Sequence, residues 1–193
     1  NKVYIVDAYP PEDAEILSTI KFKGNPLELY VNGDRLIVLG NNQEYAEYAV
    51  EKGAGSKMIA PDMMPPQGGM HRERTAVYIY DITDRRDPDL VKKVFVEGSY
   101  FDSRMIGDYV YVIANQYNIY LGDTVAVPEV TSTALGATNE RELDVYYFDE
   151  PDHSYSYTNI VSINTQNTNR EIEGKTYLMG SAQNLFVSQN NVY

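Results

Sequence analysis

Apolar and polar residues alternate along most of this chain, in short runs separated by turn-forming residues. The clearest run is YVYVI at residues 109–113, whose two faces differ in character, as a half-buried strand requires. The Asn32-Gly33 pair separates two further apolar runs, at residues 29–31 and 35–38, and this is a strong hairpin signal. The pattern therefore predicts many short strands joined by tight turns, and hence an all-β fold.

The alternating pattern also repeats along the chain. The run VYIVD at residues 3–7 returns 74 positions later as VYIYD at residues 77–81. Two glycine positions hold the same offset, and the pairs are Gly24 with Gly98 and Gly33 with Gly107. A weaker third copy begins near the run IVSIN at residues 160–164 and includes Gly180. Several features that share one offset indicate a structural repeat.

Each copy contains four short predicted strands. In the second copy these strands cover residues 76–82, 90–97, 100–106 and 109–114. Tandem four-stranded antiparallel units of about 40 residues are typical of β-propeller blades, which cover each other's apolar faces. A β-sandwich is the alternative, but that fold does not require a sequence repeat of this kind. We therefore expect a partial propeller of about two full blades and two half blades.

The chain is expected to be a single partial β-propeller domain over residues 1–193. The repeat copies cover about 2–40, 76–114 and 159–193, and two long insertions cover about 41–75 and 115–158. In propeller order the chain opens with the last half of one blade and closes with the first half of another. We expect an internal part of a longer propeller, in contact with the rest of it or self-associating through unpaired blade edges.

The two insertions follow equivalent strands, so both should emerge on one side of the propeller, where we expect binding. Residues 45–52 of the first insertion predict a short helix that ends at Gly53. Residues 124–133 of the second insertion predict either an extra strand or an ordered loop.

Composition excludes several classes of function. The chain has 28 acidic and 16 basic residues, a formal charge of -12, so nucleic acid is not an expected partner. Cysteine is absent, which removes disulfides, thiol catalysis and cysteine metal sites. The only histidines are His71 and His153, so a three-histidine zinc site is impossible. No apolar run is long enough for a membrane-spanning helix.

Three segments resemble a known family. Residues 74–115, 146–152 and 187–193 are similar to archaeal and bacterial secreted proteins with a C-terminal β-propeller domain distantly related to WD repeats. The family's domain is longer than this chain, and the resemblance covers most of the chain outside the first insertion. It implies a propeller fold and a secreted or cell-surface location. It supplies no catalytic residues, so none can be assigned here.

The densest cluster of metal-ligand types is Asp149, Glu150 and Asp152, followed by His153. Closely spaced carboxylates suit Ca²⁺, a hard cation that accepts irregular loops. The spacing is not that of an EF-hand, and a solvated acidic turn fits the same residues. Ca²⁺ is thus a possible ligand of these carboxylates.

Four tyrosines of the second insertion, Tyr146, Tyr147, Tyr155 and Tyr157, are candidate ligand-binding residues. Exposed aromatic faces beside carboxylates suit sugar or peptide binding. Alternating tyrosines are also common in ordinary strands.

Asp7, Asp81 and Asn164 recur at the end of the same strand of each copy. A ring of such oxygens could bind cations, but a side chain of this type at a strand end more often accepts hydrogen bonds from the following turn. We favour that structural role.

The sequence therefore predicts an extracytoplasmic β-propeller segment that acts as a binding or scaffolding module at the cell surface. Part of a propeller hydrolase acting on polysaccharide or peptide is one alternative, with Asp102 and Asp149 as conceivable partners whose separation decides the mechanism. A calcium-stabilised structural module is another. Nucleophile-elbow, phosphate-loop, dinucleotide and zinc-protease motifs are all absent from the sequence.

Overall fold

The computed structural model of the chain describes residues 1–42, 73–117, 120–121, 124–125, 127–149, 155–179 and 188. These residues form strands connected by turns, with one 3-10 turn at Pro11–Asp13. The strands are β1 Lys2–Asp7, β2 Glu15–Lys21, β3 Asn25–Asn32, β4 Arg35–Asn42, β5 Arg74–Asp81, β6 Asp89–Glu97, β7 Ser99–Ile106, β8 Tyr109–Gln116, β9 Tyr120–Leu121, β10 Thr124–Val125, β11 Glu129–Ala134, β12 Ala137–Glu142, β13 Asp144–Tyr147, β14 Ser156–Asn164 and β15 Glu173–Met179.

Three sheets make up the body of the molecule. β1 and β2 pair as an N-terminal hairpin. The first sheet has six strands in the order β12-β11-β6-β5-β4-β3, and the second has five in the order β13-β15-β14-β8-β7. All neighbours are antiparallel except β13, which runs parallel to β15. The expected all-β fold of tandem antiparallel units is confirmed.

Each large sheet combines strands of two successive repeat copies. β3 and β4 of the first copy pair with β5 and β6 of the second, in one continuous ladder. In the same way β7 and β8 of the second copy pair with β14 and β15 of the third. This is the propeller order expected from the sequence, in which a half blade precedes two four-stranded units.

The described residues include several strands of the second insertion. The helix expected at residues 45–52 lies outside the described residues. In the second insertion, residues 124–133 contain β10 and most of β11, so an extra strand is present there. β11 and β12 form a hairpin that pairs through β11 with β6. The β11–β12 hairpin therefore extends the first sheet, although its residues lie between strands of the second, and β13 of the same insertion joins the second sheet.

The core lies in two layers, one on each side of the first sheet. One cluster packs the first sheet against the second and includes Ile37, Ile79, Val96, Val112 and Ile163. The other packs the opposite face of the first sheet against the N-terminal hairpin. In that layer the Phe22 and Tyr78 rings meet edge to face, with centroids 4.9 Å apart. The first sheet is therefore covered on both faces, which its nearly continuous apolar strand β5 requires.

Equivalent positions of the repeat adopt the same local geometry. Gly24 and Gly98, which precede the first strand of each large sheet, have φ values of 102° and 105°. A side chain at Gly98 would place its Cβ 2.8 Å from the Asn115 carbonyl oxygen. Glycine is required there for both its positive φ and its lack of a side chain.

The recurring strand-end residues have the structural role favoured from the sequence. Asp7 Oδ1 accepts from the Tyr9 amide, and Asp81 Oδ1 accepts from the Thr83 amide. Asn164 Oδ1 accepts from the amides two and three residues later, at 3.1 and 2.6 Å. Each side chain therefore fixes the turn that follows its strand.

Candidate functional site

An exposed aromatic surface lies on β13, the edge strand of the second sheet. Tyr146 and Tyr147 end this strand and Phe148 follows it. Tyr147 and Phe148 are 70% and 75% exposed, and Tyr146 is also exposed. Exposed aromatic side chains along an edge strand are candidate contacts for a ligand that pairs with that edge. We call Tyr146, Tyr147 and Phe148 the aromatic edge.

Side-chain contacts hold one end of the aromatic edge in place. Tyr146 lies opposite Tyr177 of β15 in the parallel ladder, and their ring centroids are 5.7 Å apart. The Lys175 ammonium lies over the Tyr146 ring, 5.1 Å from its centroid. Such a cation–π contact at an exposed position is worth about 0.5–1 kcal/mol. The Tyr146 ring is therefore oriented before any ligand binds, because its neighbours belong to the sheet.

Tyr147 points to the other face of the sheet, since side chains alternate along a strand. Its ladder partner is Leu178, not Tyr177. The two tyrosines thus present aromatic groups on both sides of one strand. Among the described residues no further strand pairs with the outer edge of β13. An edge strand of this kind can pair with the backbone of a ligand.

The remaining two predicted tyrosines lie in different environments. Tyr155, immediately before β14, is exposed. Tyr157 is only 3% exposed, so the expectation that it lies on an exposed surface is wrong. Its position on β14 shares a face with Asn159, Val161 and Ile163, all of which face the first sheet and are buried. The alternation of β14 therefore turns Tyr157 inward.

Of the predicted calcium ligands, the described residues include only Asp149. Asp149 is exposed in a bend that follows the aromatic edge, while Glu150 and Asp152 lie outside the described residues. Among the residues that the structure describes, no group of three potential ligands could hold a metal ion. Calcium binding at Asp149, Glu150 and Asp152 stays a prediction.

Buried polar side chains fix the second sheet against the first. The fully buried Asn159 donates through Nδ2 to the Glu97 carbonyl at 2.7 Å, and its Oδ1 accepts from the Thr176 hydroxyl at 2.7 Å. Thr158 Oγ1 donates to Asn115 Oδ1 at 3.2 Å. These bonds connect β14 to β6, β15 and β8. The aromatic edge is thus mounted on a support whose position is set by directional contacts.

A cluster of hydroxyl groups connects β3 and β7, the edge strands at the opposite ends of the two sheets from β12 and β13. The buried Ser103 hydroxyl lies 3.0 Å from the Tyr30 hydroxyl and 2.9 Å from the Tyr100 hydroxyl. Burial raises the pKa of Tyr30 and of Tyr100 above the ordinary value of 10.0. Both phenols therefore stay protonated at neutral pH and neither can act as a base toward Ser103. The group links β3 to β7 rather than activating a nucleophile.

The sequence did not identify three residues of this surface. Phe148 extends the tyrosine pair, and Lys175 and Tyr177 alternate on β15 beneath Tyr146. Two sequence features could have indicated these residues: the uninterrupted aromatic run and the i, i+2 spacing of Lys175 and Tyr177. The parallel pairing of β13 with β15, which brings the groups together, could not be read from the sequence.

Comparison with known proteins agrees with the repeat and with the sheets. The family model described as a beta propeller domain matches residues 1–193, the whole chain. The chain belongs to the beta propeller domain family. No curated protein and no solved structure matches it significantly. In the described part of this beta propeller domain, no helix is long and apolar enough to cross a membrane.

Proposed function

We propose that this beta propeller domain is an extracytoplasmic binding or scaffolding module at the cell surface, and that the aromatic edge holds an extended segment of a protein ligand. The observation that carries the proposal is the exposure of consecutive aromatic side chains at a strand whose outer edge pairs with no other strand among the described residues. The location outside the cytoplasm is supported by the resemblance of residues 74–115 to secreted propeller proteins.

The physical basis is strand addition. A peptide that pairs with the outer edge of β13 would gain main-chain hydrogen bonds, and its alternate side chains would meet Tyr146 on one face and Tyr147 on the other. Tyrosine supplies a large contact area with little loss of conformational entropy. Because Tyr146 is already held by Tyr177 and Lys175, a ligand would pay less to order it.

Binding of the intact chain to a peptide panel and to a glycan panel tests the proposal. Tyr147→Ser should weaken peptide binding at least tenfold, since buried aromatic anchors contribute about 2 kcal/mol or more to such interfaces. Tyr9→Ser is the matched control, because Tyr9 is 87% exposed and lies beside the N-terminal hairpin, far along the chain from β13. It should leave the affinity unchanged.

Backbone chemistry distinguishes strand addition from other modes. N-methylation of every second amide of the bound peptide should weaken binding when it blocks the amides that face β13. The same change should leave the affinity unchanged when it blocks the amides that face away from β13. Equal losses for Tyr147→Ser and Tyr9→Ser, or no peptide ligand at all, would contradict the proposal. Binding of glycans alone, reduced by Tyr147→Ser, would replace the protein ligand with a sugar on the same surface.

A further inference from the structure

A cleft of about 550 Å³ lies between the first and second sheets, away from the aromatic edge. One wall is formed by β6 and by the β11–β12 hairpin that extends the first sheet. The other wall is the turn between β14 and β15, at residues 168–172. The volume lies within the range of small-molecule sites.

A buried lysine forms the floor of this cleft. Lys92 is 3% exposed, in phase along β6 with the core residues Val94 and Val96. Its Nζ donates to the carbonyl oxygens of Thr168 and Arg170, at 2.8 and 3.2 Å. An ammonium group has three donors, so one N–H is left after these two bonds.

The positive charge of Lys92 is not neutralised by the described residues around it. No carboxylate in the described part of the chain forms an ion pair with Nζ. Burial lowers the pKa of Lys92 below its ordinary value of 10.5 because the ammonium is partly desolvated. A buried cation that meets only neutral carbonyls is costly, and an anion in the cleft would offset that cost.

Arg141 adds to the positive charge of the cleft. Arg141 of β12 donates through one guanidinium nitrogen to the Ile172 carbonyl at 3.0 Å, and a guanidinium carries further N–H donors that can hold a carboxylate. The Arg170 guanidinium lies instead over the Tyr109 ring, 5.4 Å from its centroid, and Tyr109 does not line the cleft. Glu140 and Glu171 also line the cleft, but neither forms an ion pair with Lys92. The buried ammonium of Lys92 therefore favours an anionic ligand.

The turn that forms the second wall is held in shape by its own side chains. Asn164 Oδ1 accepts from the amides of Gln166 and Asn167, and Asn167 Oδ1 accepts from the Asn169 amide. The rest of the lining carries short hydroxyl and amide groups at Ser132, Asn139, Thr168 and Asn169. These groups can bond to the hydroxyls of a sugar, whereas the cations suit a carboxylate.

We propose that this cleft is a binding site for a carboxylate-bearing sugar, a hexuronic acid unit, with Lys92 and Arg141 as the groups that hold its carboxylate. The site is separate from the aromatic edge and does not depend on the function proposed for that surface. Lys92 supplies the desolvated charge, Arg141 supplies directed donors, and the neutral side chains contact the ring hydroxyls.

Titration of the intact chain with sodium glucuronate, followed by calorimetry, tests the assignment. Glucuronate should bind and neutral glucose should not, and added salt should weaken the binding. Arg141→Gln should reduce the affinity about tenfold, the usual size of a lost charged hydrogen bond. Lys92→Met should reduce it further. If Lys92→Met does not fold, Arg141→Gln decides the question.

The control is Lys93→Met, on the same strand but the opposite face, where the ammonium lies over the Tyr78 ring at 5.9 Å. It should leave glucuronate binding unchanged. The assignment is overturned if glucose binds as well as glucuronate, or if Arg141→Gln binds glucuronate normally. Binding of N-acetyl-glutamate amide without binding of glucuronate would also overturn it, in favour of an acidic peptide.

Discussion

Replacement of Asn159 by alanine should destabilise the domain more than any exposed substitution. The side chain is fully buried between the two large sheets and forms two hydrogen bonds of 2.7 Å, to the Glu97 carbonyl and from the Thr176 hydroxyl. Removing one partner of a buried hydrogen bond costs about 1–3 kcal/mol. Two such losses predict a decrease of about 3 kcal/mol in the free energy of unfolding.

Urea unfolding followed by circular dichroism and by tyrosine fluorescence measures this decrease. In a separate thermal melt, the melting temperature should fall by about 6–12 °C, since each kcal/mol corresponds to about 2–4 °C for a domain of this size. The matched control is Asn25→Ala, at an exposed position of β3, which should change stability by less than about 0.5 kcal/mol. The reasoning is refuted if Asn159→Ala costs less than about 1 kcal/mol with an unchanged urea dependence.

A double-mutant cycle separates the Thr176 bond from the Glu97 bond. Thr176→Val removes the hydroxyl donor and keeps the shape of the side chain, so its effect and that of Asn159→Ala should not add. A coupling of about 1 kcal/mol is expected between the two positions. Strictly additive effects would show that the Asn159–Thr176 bond contributes nothing to the docking of β14 on the first sheet.

Two further outcomes follow from repeat positions with defined geometry. Gly98→Ala should be clearly more destabilising in thermal melts than Gly107→Ala. Both substitutions add the strain of a positive φ, about 1–2 kcal/mol, but only an alanine at position 98 would also clash with a backbone carbonyl. Equal effects of the two substitutions would contradict this. The Thr83 and Arg35 contacts lower the pKa of Asp81 from 3.8 to about 2, so its contribution to stability is complete above about pH 4 and is lost as the pH falls toward 2. Wild type should therefore exceed Asp81→Asn in urea stability near pH 5 and lose that advantage near pH 2, and a constant difference would refute the assignment.

Much of the fold could be predicted from the sequence because its determinants are local. The alternation at residues 109–113 marks β8, and the Asn32-Gly33 pair marks the hairpin between β3 and β4. The glycines at 24 and 98 share one backbone conformation because the same turn needs it in each copy. The order of the predicted strands also indicated that each sheet takes two strands from one repeat copy and two from the next.

The non-local pairings could not be predicted. The β11–β12 hairpin docks on β6, and β13 runs parallel to β15, only because of packing between distant segments. Those two pairings create the cleft and the aromatic edge, so both candidate sites depend on them. The burial of Lys92 had a signal, since it is in phase with Val94 and Val96, but a lysine next to another lysine suggests an exposed strand.

The division of each sheet between two repeat copies has a consequence for how such domains gain or lose units. A segment cut at the edges of one sequence copy would encode two halves of different sheets, and neither half could close its ladder alone. A segment that runs from Gly24 to Gly98 would instead carry the four strands β3 to β6 of one ladder. Duplication or exchange of one full period, wherever the crossover falls, restores every ladder, because each new copy supplies the two strands that its neighbours lack. Crossovers out of phase would remove strands from one four-stranded unit and leave the neighbouring strands without their ladder partners.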